Sequence, residues 1–539
     1  MTGLPLPPHL QRYAGLGLWA NRTIGDYALQ RASDRPDVTA FVDGPHALDR
    51  QTVATQALAL ADAMTRSGLG AGDVVGMLLP NWCEAATINL ACALAGFVVM
   101  PIVPIYRHAE VRHMLADSRC RAMFVAHSFR GFSHRDMVED LAAHLPALEH
   151  IVAVRSPERD YEALIATGDA GTYRRPQVDP DTVKLRLYTS GTTGTPKAVL
   201  HSHNTMERVE RISFARWQVT DGDGILMPSP VTHTSGYANG LEQPFVTGTR
   251  TILMERWQAD DAVALIDRHS LCGTVAATPF LQELATAAQR AGSDLPSFRF
   301  FACGGAPVSP AVVMEANASF ARPCAFRVFG SSEVPLVTLG FPPDDLMARG
   351  ATSDGQVCDY EVRVVDHQGT VLTPGADGEI ETRGPAMCLG YADGQQTQAA
   401  FTSDGWFRTG DLGIVRADGT VTITGRKKDL IIRGGENISA REIEEVLERH
   451  PRVREAAVIA VPHDRLGEGV GAFLISAGGE HGDTTDILEF MAHQRLAKQK
   501  LPEWIWWIEY LPRTPTGKIR KDILRKLAAK ILPNIAVHE

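Results

Sequence analysis

The residues best equipped for chemistry lie in one run, Tyr188-Thr189-Ser190-Gly191-Thr192-Thr193-Gly194-Thr195-Pro196-Lys197-Ala198-Val199. Its two glycines permit positive φ and close backbone approach, so several N–H groups and hydroxyls can converge on one anion. Lys197 adds a mobile point charge suited to phosphate oxygens. The chemistry written here is a grip on nucleotide phosphates. It is not a Walker loop, which needs Gly-Lys followed at once by Ser or Thr; Lys197 follows Pro196 and precedes Ala198. The competing reading is a plain Ser/Thr/Gly surface loop between strand and helix, and twelve residues in this order after a strand weigh against it.

Four more segments carry side chains of useful types. In Val328-Phe329-Gly330-Ser331-Ser332-Glu333 a ring can stack on a base, a hydroxyl can reach a phosphate, and Glu333 can hold Mg2+. That ion takes one or two carboxylates alongside phosphates. The apolar run 300–303 ends in Gly304-Gly305-Ala306-Pro307, where backbone can approach a flat ligand closely. Trp406-Phe407-Arg408-Thr409-Gly410-Asp411 sets a carboxylate after a glycine turn, suited to vicinal ribose hydroxyls. In Pro512-Arg513-Thr514-Pro515-Thr516-Gly517-Lys518-Ile519-Arg520-Lys521, proline and glycine pre-set a turn that presents Lys518 ahead of a basic helix. A lysine so placed can offset charge that grows in a transition state. Taken singly, each has a bland reading: Glu333 a solvated charge, Asp411 and Arg426 turn or surface residues, Lys518 another lysine in a basic tail, as Lys521 and Lys526 are read. His233, in Pro230-Val231-Thr232-His233-Thr234-Ser235-Gly236, suits structure as well as chemistry, and His201-x-His203 lacks the further ligands of a metal site.

Together and in this order the motifs resemble those of the adenylate-forming superfamily: acyl-CoA synthetases, nonribosomal-peptide adenylation domains and firefly-luciferase-like proteins. The likeness runs from Ile24 to Leu527. In the family's aromatic-Gly-x-Thr-Glu motif, Ser332 stands here for the usual Thr and Phe329 for the frequent Tyr, and both keep the needed group. The resemblance implies ATP, Mg2+ and CoA as reactants and cofactors. It implies nucleotide contacts from Thr189, Ser190, Gly191, Thr192, Thr193, Lys197, Gly304, Gly305, Ala306, Phe329, Gly330, Ser332, Asp411 and Arg426. Lys518, Glu333 and His233 take the catalytic positions, Glu333 as the metal ligand. His233, Tyr237, Cys303, Gly304, Pro335 and Leu336 line the acid pocket by position. Lys428 matches the hinge, and Gly434-Gly435 the thiol channel for CoA.

The family's reaction has two halves: a carboxylate attacks the α-phosphate of ATP, and a thiol then attacks the acyl-adenylate. A small C-terminal domain rotates between them. Stretches 104–110 and 129–132 resemble bacterial ligases for cyclohexanecarboxylate and related medium-chain acids, with aryl acids close behind. Amino-acid-activating relatives place an Asp near the His233 segment; between 225 and 254 the only acid here is Glu242. The expected partners are a small carboxylic acid and CoA. The alternatives are loading of a carrier-protein phosphopantetheine, and a non-catalytic nucleotide or acyl sensor.

These groups need a scaffold, and 539 residues exceed what one core supports. A net charge of −10 argues against nucleic acid as a partner. Eight cysteines without a C-x-x-C pair suit reduced, buried thiols in a cytoplasmic protein. Residues 1–10 lack a basic-then-apolar signal pattern. The uncharged run 85–105 mimics a membrane span, but Gly96, Pro101 and Pro104 break it. It reads as a buried helix (85–95) turning into a core strand (98–103), so membrane contact is not expected. Strand–helix alternation from 24 to 178 and again from 224 to 291, with a strand at 183–188, predicts α/β layers. Asp-Gly turns at 354, 377, 404 and 418 mark a β-rich stretch over 355–415.

The expected fold is therefore α/β: a large N-terminal domain of α/β layers with a β-rich subdomain (1–427), and a small mobile α+β C-terminal domain (428–539). In the latter, strands at 430–432, 456–461 and 470–475 flank a helix capped by Ser439-Ala440-Arg441-Glu442. Trp504-Ile505-Trp506-Trp507-Ile508 would place apolar side chains on both faces of a strand. The pattern fits packing inside or against the small domain; a homodimer contact or a membrane-surface anchor is the alternative.

Overall fold

Short apolar strands alternating with amphipathic helices build two compact units, Met1–Glu361 with Thr382–Phe407, and Val362–Glu381 with Arg408–Glu539. The computed structural model describes residues 6–189, 196–305, 308, 310–341, 349–479, 483–494, 496–514 and 518–532. Ser190, Gly191, Thr192, Thr193 and Ala306 lie outside the described residues.

The first unit holds two seven-stranded sheets. One runs in the order Ala325–Arg327, Phe300–Cys303, Gly273–Ala276, Gly224–Met227, Arg250–Leu253, Thr39–Asp43 and His46–Asp49. All its pairs are parallel except the last hairpin. The other runs Gly390–Tyr391, Lys197–Ser202, Val183–Thr189, Val98–Pro101, Val74–Leu78, Ala122–Ala126 and His150–Val154. Its first two pairs are antiparallel and the rest parallel. Helices cover the parallel strands, which is why Ala122–Ala126 and Gly273–Ala276 are buried along their whole length and read as unbroken apolar runs.

The uncharged run folds as its sequence predicts. Every residue of the helix Cys83–Ala95 except Glu84 is buried, and Gly96 ends it in a left-handed cap before strand Val98–Pro101. No helix among the described residues is long and apolar enough to cross a membrane. Asn89, the polar residue inside this helix, anchors a buried network. Its amide donates to Glu242 Oε1 (3.0 Å) and its carbonyl accepts from the Tyr237 hydroxyl (2.6 Å). Lys184, from strand Val183–Thr189, forms an ion pair with the same Glu242 oxygen, and both side chains are almost fully buried. Burial pushes the Glu242 carboxyl up, but Lys184, Glu210 and Asn89 outweigh it and hold the group below its ordinary value. Glu210, also fully buried, is pushed well up by desolvation and by Glu242, so it stays neutral. The network holds one cation, one anion and one neutral acid, so its charges balance within the core.

In the second unit a four-stranded sheet runs Glu361–Val365, Asp377–Arg383, Phe407–Val415 and Val421–Arg426. A five-stranded sheet follows in the order Glu436–Ser439, Leu430–Arg433, Gly467–Ser476, Val453–His463, with Trp504–Trp507 parallel to Gly467–Ser476. The expected domain limit at 427/428 falls in the 3-10 turn Lys427–Asp429 between these sheets. Ser439 caps helix Ala440–Leu447 by accepting from the Glu442 N–H. The tryptophan strand serves both faces of its sheet. Trp504 and Trp506 pack with Val461, Phe473 and Leu524, while Ile505 and Trp507 pack with Ile443, Val458 and Met491. Gly471 makes the room: a Cβ there would lie 2.9 Å from the Trp506 ring.

Candidate active site

Lys197 opens the strand Lys197–Ser202, and Thr189 closes Val183–Thr189; the two residues are cross-strand partners. The phosphate-type run therefore joins the arms of an antiparallel hairpin, whereas the sequence pattern marked only its first arm. Behind the hairpin the chain turns directly into helix His203–Arg216, capped by Ser202.

Glu333 sits beside this hairpin, held from several sides. The Tyr391 hydroxyl donates to its Oε1 at 2.7 Å, and its backbone carbonyl accepts from the Cys388 N–H at 2.8 Å. The preceding Ser332 is fixed twice: its carbonyl accepts from His201 Nε2 (2.7 Å), and its hydroxyl bonds Thr234 Oγ1 (2.8 Å). Burial pushes the His201 pKa down to about 4, against a smaller upward pull from its bond to Ser332. His201 is thus a neutral donor that braces the acidic motif, a use the His-x-His spacing does not reveal. The Lys197 ammonium lies 5.3 Å from the centre of the Tyr391 ring, within cation–π range.

This donor set fits a hard divalent cation. Among the described residues Oε1 of Glu333 is engaged and Oε2 accepts no hydrogen bond, beside a lysine suited to phosphate. Elsewhere, the described residues contain no cluster of three His, Cys, Asp or Glu that could hold a metal.

The two segments expected to take the base end adjacent parallel strands. Val328 N–H donates to the Cys303 carbonyl (2.9 Å), and a Cβ on Gly304 would lie 2.7 Å from the Val328 carbonyl. Glycine there lets the two strand ends meet. Gly305 has a φ of +81°. Phe329 is anchored by its N–H to Thr338 Oγ1 (2.8 Å), and the loop folds back so that Ser331 N–H reaches the Val334 carbonyl (3.1 Å). Leu336 adopts a φ of +49°, and the Pro335 carbonyl accepts from the Tyr360 hydroxyl (3.0 Å).

His233 is half-buried at the start of the short helix Thr234–Gly236, which continues as a π-helical run, Tyr237–Glu242. Tyr237 is wholly buried and bonded to Asn89, and burial pushes the Cys303 thiol up to about 12. Cys303 is thus a packing thiol.

In the second unit Asp411 and Arg426 are cross-strand partners and form an ion pair at 2.9 Å, with Asp411 buried and Arg426 open to solvent. Desolvation and the Arg426 and Arg525 guanidiniums lower the Lys428 pKa, while Arg525 bonds Asp429 at 2.7 Å. Gly434 and Gly435, with φ of +58° and +87°, form the two-residue turn of the hairpin Leu430–Arg433/Glu436–Ser439. Lys518 stands where chain segments 512–514 and 518–520 pair: Thr514 N–H donates to the Lys518 carbonyl (2.7 Å), and Arg520 N–H to the Pro512 carbonyl (2.7 Å). Flanking ion pairs, Arg513–Glu455 and Lys521–Glu444, hold this segment to its domain. Lys521 thus has a partner and is more than a tail charge.

Sequence alone does not single out Tyr391, Thr234 or His201 for this bracing, because nothing in a Gly-Tyr pair or an isolated Thr distinguishes it from a turn. The signal for Tyr391 is its register opposite Val199, visible only in three dimensions.

Residues 29–392 match the family described as AMP-binding enzyme, and residues 442–518 match the AMP-binding enzyme C-terminal domain. The chain is 34% identical to the medium-chain fatty-acid–CoA ligase of Escherichia coli (strain K12), over 97% of this chain and 94% of that one. It is 32% identical to fatty acid–[acyl-carrier-protein] ligase ScoC of Streptomyces coeruleorubidus, over 92% and 94%. Among solved structures, ATP-bound MatB from Rhodopseudomonas palustris superposes with a TM-score of 0.85 at 25% identity, covering 95% of this chain and 99% of that one.

Proposed function

The chain belongs to the AMP-binding enzyme family as an AMP-forming acid–CoA ligase, and from that premise we propose a medium-chain fatty or alicyclic acid as substrate and assign the steps to particular side chains. The enzyme uses ATP, Mg2+ and CoA. The acid's carboxylate attacks the α-phosphate to give acyl-adenylate and pyrophosphate, and the CoA thiol then takes the acyl group and releases AMP.

In this reading Thr189 and Lys197, with Ser190, Gly191, Thr192 and Thr193 between them, hold the phosphates. Phe329 and the Gly304-Gly305-Ala306 segment take the base, with Gly330 and Ser332 beside the phosphates. Asp411 and Arg426 take the ribose. Mg2+ carried with ATP spreads the phosphate charge, and Glu333 would hold it through the oxygen that Tyr391 leaves open. Lys518 offsets the charge that builds between carboxylate and α-phosphate. Lys428 is the hinge about which the following residues turn for the second half-reaction, bringing Gly434-Gly435 toward the thiol; domain gating of this kind lets one site run two reactions.

The observation that carries the acid's class is the fate of Glu242. The one acid in 225–254 is consumed by Lys184 in a fully buried pair, leaving nothing there to meet an α-ammonium group. Pro335 and Leu336 then offer the acid an uncharged wall, backed by the buried Tyr237 and Cys303, with His233 at its polar end. The relative that acts on medium-chain fatty acids supports the same class. Unbridged cysteines suit a reducing compartment, and we assign the cytoplasm.

The test is a panel of fatty, alicyclic, aryl and amino acids with ATP, scored by pyrophosphate release and by acyl-CoA formation when CoA is added. Medium-chain or alicyclic acids giving acyl-CoA is the expected result; turnover confined to amino acids would refute the reading. The carrier-protein ligase among the relatives favours one rival. Adenylate that accumulates with CoA and discharges only onto a phosphopantetheine-bearing carrier protein would establish that rival.

A further inference from the structure

We propose that Tyr391 is a positioning residue that keeps Lys197 and Glu333 apart and aims both at one metal–phosphate unit; the inference rests on the phosphate and metal roles assigned to those two residues above. Register sets the geometry. Gly390 pairs with Leu200 and Tyr391 with Val199 in an antiparallel ladder, on the strand that Lys197 begins. Directly opposed residues share a face, as do residues two apart on a strand, so Tyr391, Val199 and Lys197 project to one side. There the ring lies 5.3 Å from the Lys197 ammonium.

The hydroxyl at the ring's far end donates to Glu333 Oε1 at 2.7 Å. With the Cys388 N–H on the Glu333 carbonyl, segment 388–391 grips that glutamate at both backbone and side chain. Tyr391 is itself held: its N–H donates to Thr397 Oγ1 at 2.9 Å, and its side chain is almost buried.

Two consequences follow from elementary electrostatics. An ammonium and a carboxylate left free beside each other would pair and neutralise, and each would then be lost to phosphate or metal. The Tyr391 ring engages each group separately, the ammonium 5.3 Å from its centre and the carboxylate on its hydroxyl, and among the described residues Lys197 makes no ion pair. The phenol also occupies one carboxylate oxygen, so the glutamate presents its other oxygen in a single orientation.

Replacing the hydroxyl and replacing the ring should therefore do different things. Tyr391→Phe keeps the ring beside Lys197 but frees Glu333; Tyr391→Leu removes both constraints. The measurement is Mn2+ binding to the ATP-saturated protein, without acid, followed by electron paramagnetic resonance, with the KM for ATP measured alongside. Y391F should weaken Mn2+ binding about tenfold, as expected for losing a hydrogen bond to a charged group, while the KM for ATP stays within about twofold. Y391L should weaken Mn2+ binding as much and raise the KM for ATP about fivefold.

Glu333→Gln is the reference, expected to weaken Mn2+ binding more than Y391F does. Wild-type Mn2+ affinity in Y391F alongside a loss in E333Q overturns the positioning role and leaves the metal role of Glu333 intact. Wild-type affinity in E333Q overturns that metal role, and the Tyr391 assignment with it. Should Y391F fold poorly, Thr397→Val, which removes the Thr397 hydroxyl's bonds to the Tyr391 N–H and carbonyl, reads the same quantity: a loss of about threefold supports the proposal, since only neutral hydrogen bonds are removed, and unchanged affinity overturns it.

Discussion

Lys184→Met should destabilise the first unit by an amount that depends on pH in a calculable way. Lys184 and Glu242 form an ion pair with side chains 2% and 0% exposed, and Glu210 beside them is already neutral. Without the lysine, Glu242 is left as a buried anion, and its cheapest response is to take up one proton. Relative to its ordinary value of 4.5, that protonation costs about 3.4 kcal/mol at pH 7, at 1.36 kcal/mol per unit. The figure agrees with the roughly 3–5 kcal/mol expected for breaking a buried pair from one side.

At pH 5 the same cost falls to about 0.7 kcal/mol, because the unfolded glutamate is then close to its own titration. The sign follows from linkage: in the variant the folded pKa of Glu242 is raised, so stability is retained at acid pH and lost as pH climbs. Urea unfolding of wild type and variant at pH 5, 6 and 7 reads the effect, and K184M/E242Q, which removes both charges, should return to within about 1 kcal/mol of wild type. Because Glu242 lies within the helical run that follows His233, K184M should also raise the KM for the acid more than that for ATP. A penalty independent of pH, or one below about 1 kcal/mol at pH 7, would refute the reasoning.

Lys518→Ala should slow adenylate formation by roughly 10²- to 10³-fold, the usual cost of losing one transition-state donor, while largely sparing thioester formation from supplied acyl-AMP; equal loss of both half-reactions would contradict the rotating-domain mechanism. His201→Gln, which keeps a donor near Ser332, should flatten the acid side of the stability profile. The folded pKa of about 4 lies below the ordinary 6.5, so wild type is fully stabilised above pH 6.5 and loses roughly 3 kcal/mol by pH 4 from this group. Melting temperatures of the two proteins that run parallel from pH 7 to pH 4 would rule that out.

The α/β class, the buried helix ending at Gly96 and the order of the motifs are all legible in the sequence, because each rests on local signals: apolar period, a glycine that permits positive φ, a spelled-out loop. The second arm of the hairpin at 197–202 is not, since Lys-Ala-Val-Leu-His-Ser has neither clean alternation nor a turn before it that pattern recognises as a hairpin. Whether the tryptophans are surface or core depends on the two glycine-spaced gaps in Gly467–Ser476, which a strand-by-strand reading treats as weakness. The bracing of Ser332 and Glu333 by His201, Thr234 and Tyr391 joins residues 58 to 131 positions apart. Contacts at that separation leave no period and no spacing to read.

The central claim, that the acid is activated through an acyl-adenylate, is tested most directly by isotope transfer. A medium-chain acid labelled with 18O in its carboxylate is turned over with ATP and CoA, and the nucleotide product is weighed by mass spectrometry. The account predicts AMP carrying one 18O atom from the acid, released with pyrophosphate and acyl-CoA. Unlabelled AMP, or ADP with the label in orthophosphate, would contradict it.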